Sequence, residues 1–239
     1  MHKIDIPDWA VERVIARRGR RHAFADLVPT RTALLVVDMQ NAFLMDGVGH
    51  NVIAEARDIV PNINRLAARL RSAGGLVAWI QMVASDEAVA EWSVFHDQLM
   101  TPEARARRIA ATRRGSEGYA LWSGLDVAPG DLKVEKTRYS AFIQGSSDIE
   151  AQLRARGIDT VVVTGTVTGV CCESTARDAM MRNFRAIMVA DGNAARTDEE
   201  HNAALTSFYL TFGDVLSTDE IVRALDAGAA VAAPSRHAD

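Results

Sequence analysis

Short apolar runs alternate with stretches of helical spacing along almost the whole chain, and this alternation constrains the fold more than any other feature. Ala33-Leu34-Leu35-Val36-Val37-Asp38 is apolar until its last residue and reads as a strand buried on both faces. From about Val52 to Ser72, Ile59, Ile63, Leu66 and Leu70 recur at helical spacing until Gly74-Gly75 stops them. Strand signals return at Leu76–Gln81, Asp131–Lys136, Thr160–Thr164, Arg185–Ala190 and Asp214–Leu216. Helices are expected near Ser147–Arg156, Cys171–Asn183, Asp198–Phe212 and Thr218–Leu225. Parallel strands need crossovers, so this order predicts an α/β domain. The expected architecture is a Rossmann-like three-layer α/β/α sandwich with a six-stranded, mainly parallel sheet.

That domain is expected over residues 32–226 of the 239. Residues 1–31 read as an N-terminal arm with too little chain for a core of its own, expected to pack across a subunit boundary in a homodimer or homotetramer. The Ala-rich stretch 227–239 reads as a mobile tail. Between Val83 and Gly130 the alternation lapses, leaving helical pieces near Glu91–Leu99 and Glu103–Ala111, and insertions of this length usually carry function.

Composition excludes several classes. A net charge of −4 leaves no basic footprint for nucleic acid, and the cluster Arg17-Arg18-Gly19-Arg20-Arg21 reads as a solvated arm or subunit contact. No apolar run reaches membrane-spanning length, and the first residues lack a secretory leader. The two cysteines, Cys171 and Cys172, are neighbours and unsuited to a disulfide framework. A reducing, cytoplasmic compartment and a free thiol are therefore expected.

In parallel α/β sheets ligands bind beyond the carboxyl ends of the strands, where strand order reverses. Three reactive side chains fall there: Asp38 ends the first strand, Lys136 the third, and Cys171 follows the fourth. Gly165 and Gly169 permit a sharp turn before Cys171, and unpaired N–H groups of a helix's first turn there favour a thiolate and an oxyanion. An ammonium from Lys136 would add to that effect. No histidine occupies a comparable strand end, so Asp38 is the available proton acceptor. A glycine-rich dinucleotide turn is missing after the first strand, where the chain reads Asp38-Met39-Gln40-Asn41-Ala42-Phe43.

Val36 to Phe43, Lys136-Thr137-Arg138-Tyr139-Ser140-Ala141-Phe142, and Gly165 to Asp178 together resemble the isochorismatase-like cysteine hydrolases, in that family's order. The resemblance implies an Asp–Lys–Cys triad matched by Asp38, Lys136 and Cys171. It also implies a non-proline cis peptide at Thr166–Val167, and an oxyanion hole from the N–H groups of Val167 and Cys171. The implied chemistry is thiolate attack on an amide or ureide carbonyl, loss of ammonia or amine, and hydrolysis of the thioester. Lys136 to Phe142 and the pattern from Cys171 to Asp178 look most like ureidoacrylate and carbamoyl-amide hydrolases, whose small substrates often carry a carboxylate. Arg138 is the expected partner of that carboxylate, and Phe43, Trp79, Gln81, Trp122 and Tyr139 are expected around it in an apolar pocket. Metal-containing nicotinamidases of this superfamily carry an Asp-x-His pair and a further His near the second strand. Here Asp46-Gly47-Val48-Gly49-His50 lacks that spacing and no His follows Gln81, so neither metal nor cofactor is expected. Cys171 itself argues against the vinyl-ether reaction of true isochorismatases, which lack it. The competing expectations are a metal-dependent nicotinamidase-type amidase and a catalytically silent binding or assembly module.

Overall fold

The computed structural model describes residues 1–232. Six strands form one sheet: β1 (Thr32–Val37), β2 (Leu76–Met82), β3 (Leu132–Lys136), β4 (Thr160–Thr166), β5 (Arg185–Ala194) and β6 (Asp214–Leu216). Their order is β3-β2-β1-β4-β5-β6, and every pairing is parallel. The helices are α1 (Asp8–Arg18), α2 (Asn41–Leu44), α3 (Val60–Ser72), α4 (Asp86–Ala90), α5 (Pro102–Thr112), α6 (Ile149–Ala155), α7 (Glu173–Met181), α8 (Asp198–Thr211) and α9 (Thr218–Ala232). The chain builds outward from β1 in one direction and from β4 in the other. Right-handed crossovers then put α3 and α7 on opposite faces. α3 and α9 pack together on the first face, α7 and α8 on the second. No described helix is long and apolar enough to cross a membrane.

Local chemistry explains where elements start and stop. β1 is buried at all six positions, as its unbroken apolar run requires. Pro61 sits in the first turn of α3, so the helix starts at Val60 rather than near Val52, where only a short 3₁₀ turn (Ala54–Arg57) forms. α3 buries Ile63, Leu66, Ala67 and Leu70 along one stripe. The hydroxyls of Ser85, Thr101 and Thr197 each accept an N–H from the first turn of α4, α5 and α8. β5 runs four residues past the expected end at Ala190. Asp191-Gly192-Asn193 resembles a turn, but the Asn193 amide donates to Val163 O (2.9 Å) and Val189 O (2.7 Å), carrying the strand through a register shift.

The arm has a place on its own chain, and the C-terminal stretch departs from expectation. Ala10, Val14 and Leu27 of the arm are buried, with α1 lying on α8 of its own chain. Arg18, from the basic cluster, donates to Tyr209 O (2.7 Å) and Gly213 O (2.8 Å), capping the C-terminal end of α8. The outer face of α1 leaves Trp9 and Ile15 exposed. α9 continues to Ala232, so the first six residues of the expected tail are helical. Gly228 lets this helix touch the arm, because a Cβ there would lie 1.9 Å from Leu27 O. The rest of the expected tail lies outside the described residues.

Candidate active site

Strand order reverses between β1 and β4, so the carboxyl ends of these strands define the crevice. The two backbones come unusually close there. Gly165, paired with Val37, has φ +117°, and a Cβ on it would lie 2.1 Å from Val37 O. Asp38 follows β1 with a left-handed backbone (φ 54°), its N–H donating to Ile80 O at 2.9 Å. Lys136, the last residue of β3, reaches past the end of β2. Its Nζ lies 2.8 Å from Asp38 Oδ2 and donates to Arg138 O at 3.1 Å. Both side chains are fully buried, which two opposite charges tolerate only in contact. Apart from this ion pair and the Cys171 thiol, the Asp38 oxygens have no hydrogen-bond donor among the described residues. They are left able to take a proton.

Cys171 arrives from β4 through a cis peptide at Thr166–Val167 and a π-helical turn, Thr168–Cys172, that leads into α7. Thr168 is anchored from α8. The Nε2–H of His201 donates to Ala190 O (2.9 Å), leaving Nδ1 to accept the Thr168 hydroxyl (2.8 Å). Burial pushes the Cys171 thiol up to about 12, with the Asp38 carboxylate acting in the same direction and Lys136 and Arg108 opposing it. The expectation of a resting thiolate therefore gives way to a protonated thiol facing a carboxylate. Cys172 is also buried, but its Sγ faces Thr164 O at 3.9 Å and only Cys171 opens on the cavity.

That cavity measures about 680 Å³, sized for a small molecule. Val167 and Cys171 line it, as do two of the six expected pocket residues, Phe43 and Tyr139. The other four lie elsewhere. Trp79 is wholly inside the sheet, its indole N–H donating to Asp131 at 2.8 Å. Gln81 donates to Tyr119 O (3.0 Å) and borders a separate hollow beside Glu135. Trp122 stands under Arg57, outside the cavity. Arg138 is held by Glu91 and by the carbonyls of Ala88 and Thr137. On α7, Glu173 and Arg177 form the structural ion pair their spacing suggests.

Much of the wall comes from residues that strand-end reasoning passes over. Phe95, Leu99, Met100, Ala104 and Arg108 come from the insertion between β2 and β3, while Arg196 comes from the loop before α8 and Glu200 from its first turn. Arg108, on α5, is only 6% exposed. Its one side-chain hydrogen bond among the described residues is from Nη1 to His50 Nε2 at 3.3 Å. Burial, with the Arg108 charge in second place, lowers His50 to about 3 and also lowers His96. Among the described residues, no three His, Cys, Asp or Glu side chains gather closely enough to hold a metal ion.

A doubly wound sheet with reactive groups buried at its switch point and a small-molecule cavity above them defines an α/β protein built to act on or bind a small molecule. More narrowly, the chain belongs to the isochorismatase family: the family described as Isochorismatase domain matches residues 32–220. Among curated relatives, the ureidoacrylate amidohydrolase RutB of Pseudomonas savastanoi pv. phaseolicola is 33% identical over 233 residues, 91% of each chain. The protein of the same name from Variovorax paradoxus is 36% identical over 212 residues, 80% of each chain. The structure of a cysteine hydrolase from Pseudomonas syringae pv. phaseolicola superposes with a TM-score of 0.73 at 28% identity, covering 85% of this chain and 96% of that one. N-carbamoylsarcosine amidase from Thermoplasma acidophilum is 30% identical, with a TM-score of 0.63 over 79% of this chain and 97% of its own. Fold and relatives together define an enzyme of the amidohydrolase class.

Proposed function

We propose that the chain is a cysteine amidohydrolase that cleaves the C–N bond of a small amide or ureide of the ureidoacrylate or N-carbamoyl type. The observation that carries this reading is the convergence of the Asp38–Lys136 ion pair (2.8 Å) on Cys171 at the cavity floor. Cys171 Sγ attacks the carbonyl carbon as its proton passes to Asp38, and the N–H groups of Val167 and Cys171 receive the oxyanion. Asp38 then protonates the departing nitrogen, ammonia or amine leaves, and a thioester remains. Water, deprotonated by Asp38, hydrolyses the thioester and returns the proton to Sγ. Lys136 holds Asp38 in place between these transfers.

The reaction as read needs no metal, because the thiol is the nucleophile and Asp38 carries the proton. Arg108 opposes a cation at His50 and His96 as it opposes a proton there. The test is ammonia release from 3-ureidoacrylate, N-carbamoyl amino acids and nicotinamide by wild type and Cys171→Ala. We expect ureides to be favoured and Cys171→Ala to lose about a thousandfold or more in kcat/KM. Substantial activity in Cys171→Ala would sink the mechanism. Loss of activity on chelation, restored by zinc, would overturn the metal-free reading.

A further inference from the structure

Among the described residues, three arginines border the cavity, and they differ in what already holds them. Arg177 is paired with Glu173, and Arg196 donates to Asn51 from an exposed position. Arg108 is buried and has no carboxylate partner among the described residues. Its guanidinium lies 5.0 Å from the centre of the Phe95 ring and 6.0 Å from that of Trp92. Tyr139 closes this aromatic wall, 4.9 Å from Trp92 and 5.4 Å from Phe95. The wall leaves the guanidinium little freedom to turn. One N–H is spent on His50, which supplies no countercharge because it is held neutral.

A buried cation without an anion is costly, and a guanidinium fork matches a carboxylate with two parallel hydrogen bonds. We propose that Arg108 binds the carboxylate of the substrate, so that the enzyme selects small amides or ureides carrying an acid group away from the scissile carbonyl. The inference rests on Cys171 attacking that carbonyl. Both groups border the same cavity, so one molecule can present its acid to Arg108 and its amide carbonyl to Cys171. Arg138, the sequence-level candidate, already has Glu91 for a partner. The competing role for Arg108 is to stabilise the Cys171 thiolate. That role would favour charged and uncharged substrates equally.

The experiment compares 3-ureidoacrylate with its methyl ester, using the full-length chain and the Arg108→Met and Arg108→Lys variants. We expect the ratio of kcat/KM for acid over ester to fall at least about 100-fold in Arg108→Met, mainly through KM. Arg108→Lys keeps the charge without the fork and should lose about tenfold. A parallel fall for acid and ester, or an unchanged ratio in both variants, would overturn the proposal. Should Arg108→Met fail to fold by circular dichroism, the Arg108→Lys ratio decides. A second measurement separates this inference from the proposed reaction: calorimetric binding of maleate and 3-ureidoacrylate to Cys171→Ser, with and without Arg108→Met. If wild type hydrolyses neither acid nor ester, the amidase reading fails. Acid binding weakened about 100-fold by the Arg108 change still supports the subsite, and binding indifferent to that change refutes it.

Discussion

At the scale of single residues, the most consequential fact is that Cys171 is buried against Asp38. A thiol pushed up to about 12 is protonated through the neutral range, and its thiolate fraction grows tenfold with each pH unit. Alkylation of Cys171 by iodoacetamide should therefore rise from pH 7 to pH 10 without an inflection, read by peptide mass spectrometry. An inflection below pH 8 would mean that Lys136 and Arg108 outweigh Asp38. Asp38, Lys136 and Cys171 were legible in the sequence because strand ends are legible: an apolar run ending in one charged residue marks both the strand and the side chain it delivers. The thiol's protonation was not, because it depends first on how deeply Sγ is buried and then on which of its neighbouring charges prevails. Trp79 and Gln81 mislead for a related reason. Near a strand end, one residue of difference separates a side chain inside the sheet from one beyond it. Arg108 left no local signal, since an arginine among Arg105, Arg107 and Arg108 on an amphipathic helix looks like its solvated neighbours.

At the scale of elements, the site depends on how closely β4 can approach β1. Gly165 carries that contact, with both a left-handed φ and a 2.1 Å clash awaiting any Cβ against the Val37 carbonyl. Neither partner is a side chain that can swing away. Gly165→Ala should destabilise the fold by about 3 kcal/mol or more, measured as a lower urea midpoint at constant m. Gly130→Ala, whose Cβ meets nothing within 4 Å, should stay within about 0.5 kcal/mol. Equal effects at the two sites would show that the β1–β4 contact relaxes freely. Five of the strands could be read from short apolar runs, whereas β3, at the sheet edge, shows itself through the alternation Leu132-Lys133-Val134-Glu135 and is buried only in part. Helix starts were harder. Pro61 displaced α3 by eight residues from the periodic signal, and α4 begins at a polar cap, Ser85, that periodicity ignores, whereas α5 starts within one residue of the expected Glu103.

At the scale of the whole molecule, the N-terminal arm, α8 and the Cys171 turn form one connected structure. His2 stacks on His201 at 4.4 Å, donates from Nδ1 to Asp198 (2.8 Å) and accepts the Ala195 N–H at Nε2 (3.0 Å). His201 in turn holds Thr168, three residues before Cys171. This chain works only while His201 is neutral, since its Nδ1 must accept the Thr168 hydroxyl. Burial first, and His2 second, lower His201 from 6.5 to about 4. The folded protein thus binds fewer protons at this site than the unfolded chain between those values, so protonation favours unfolding. The stabilising contribution is fully present above pH 6.5 and is lost as the pH falls towards 4. For a fully buried ring it amounts to about 3 kcal/mol. The melting temperature should fall over this window, before carboxylate pairs such as Asp131–Arg71 are protonated at lower pH. In His201→Gln the protein should be less stable at pH 7, yet lose markedly less on acidification to pH 4.5, as read by calorimetry at matched ionic strength. An unaltered slope in His201→Gln would mean that acid sensitivity resides elsewhere and that the arm does not act on the Cys171 turn through a neutral His201.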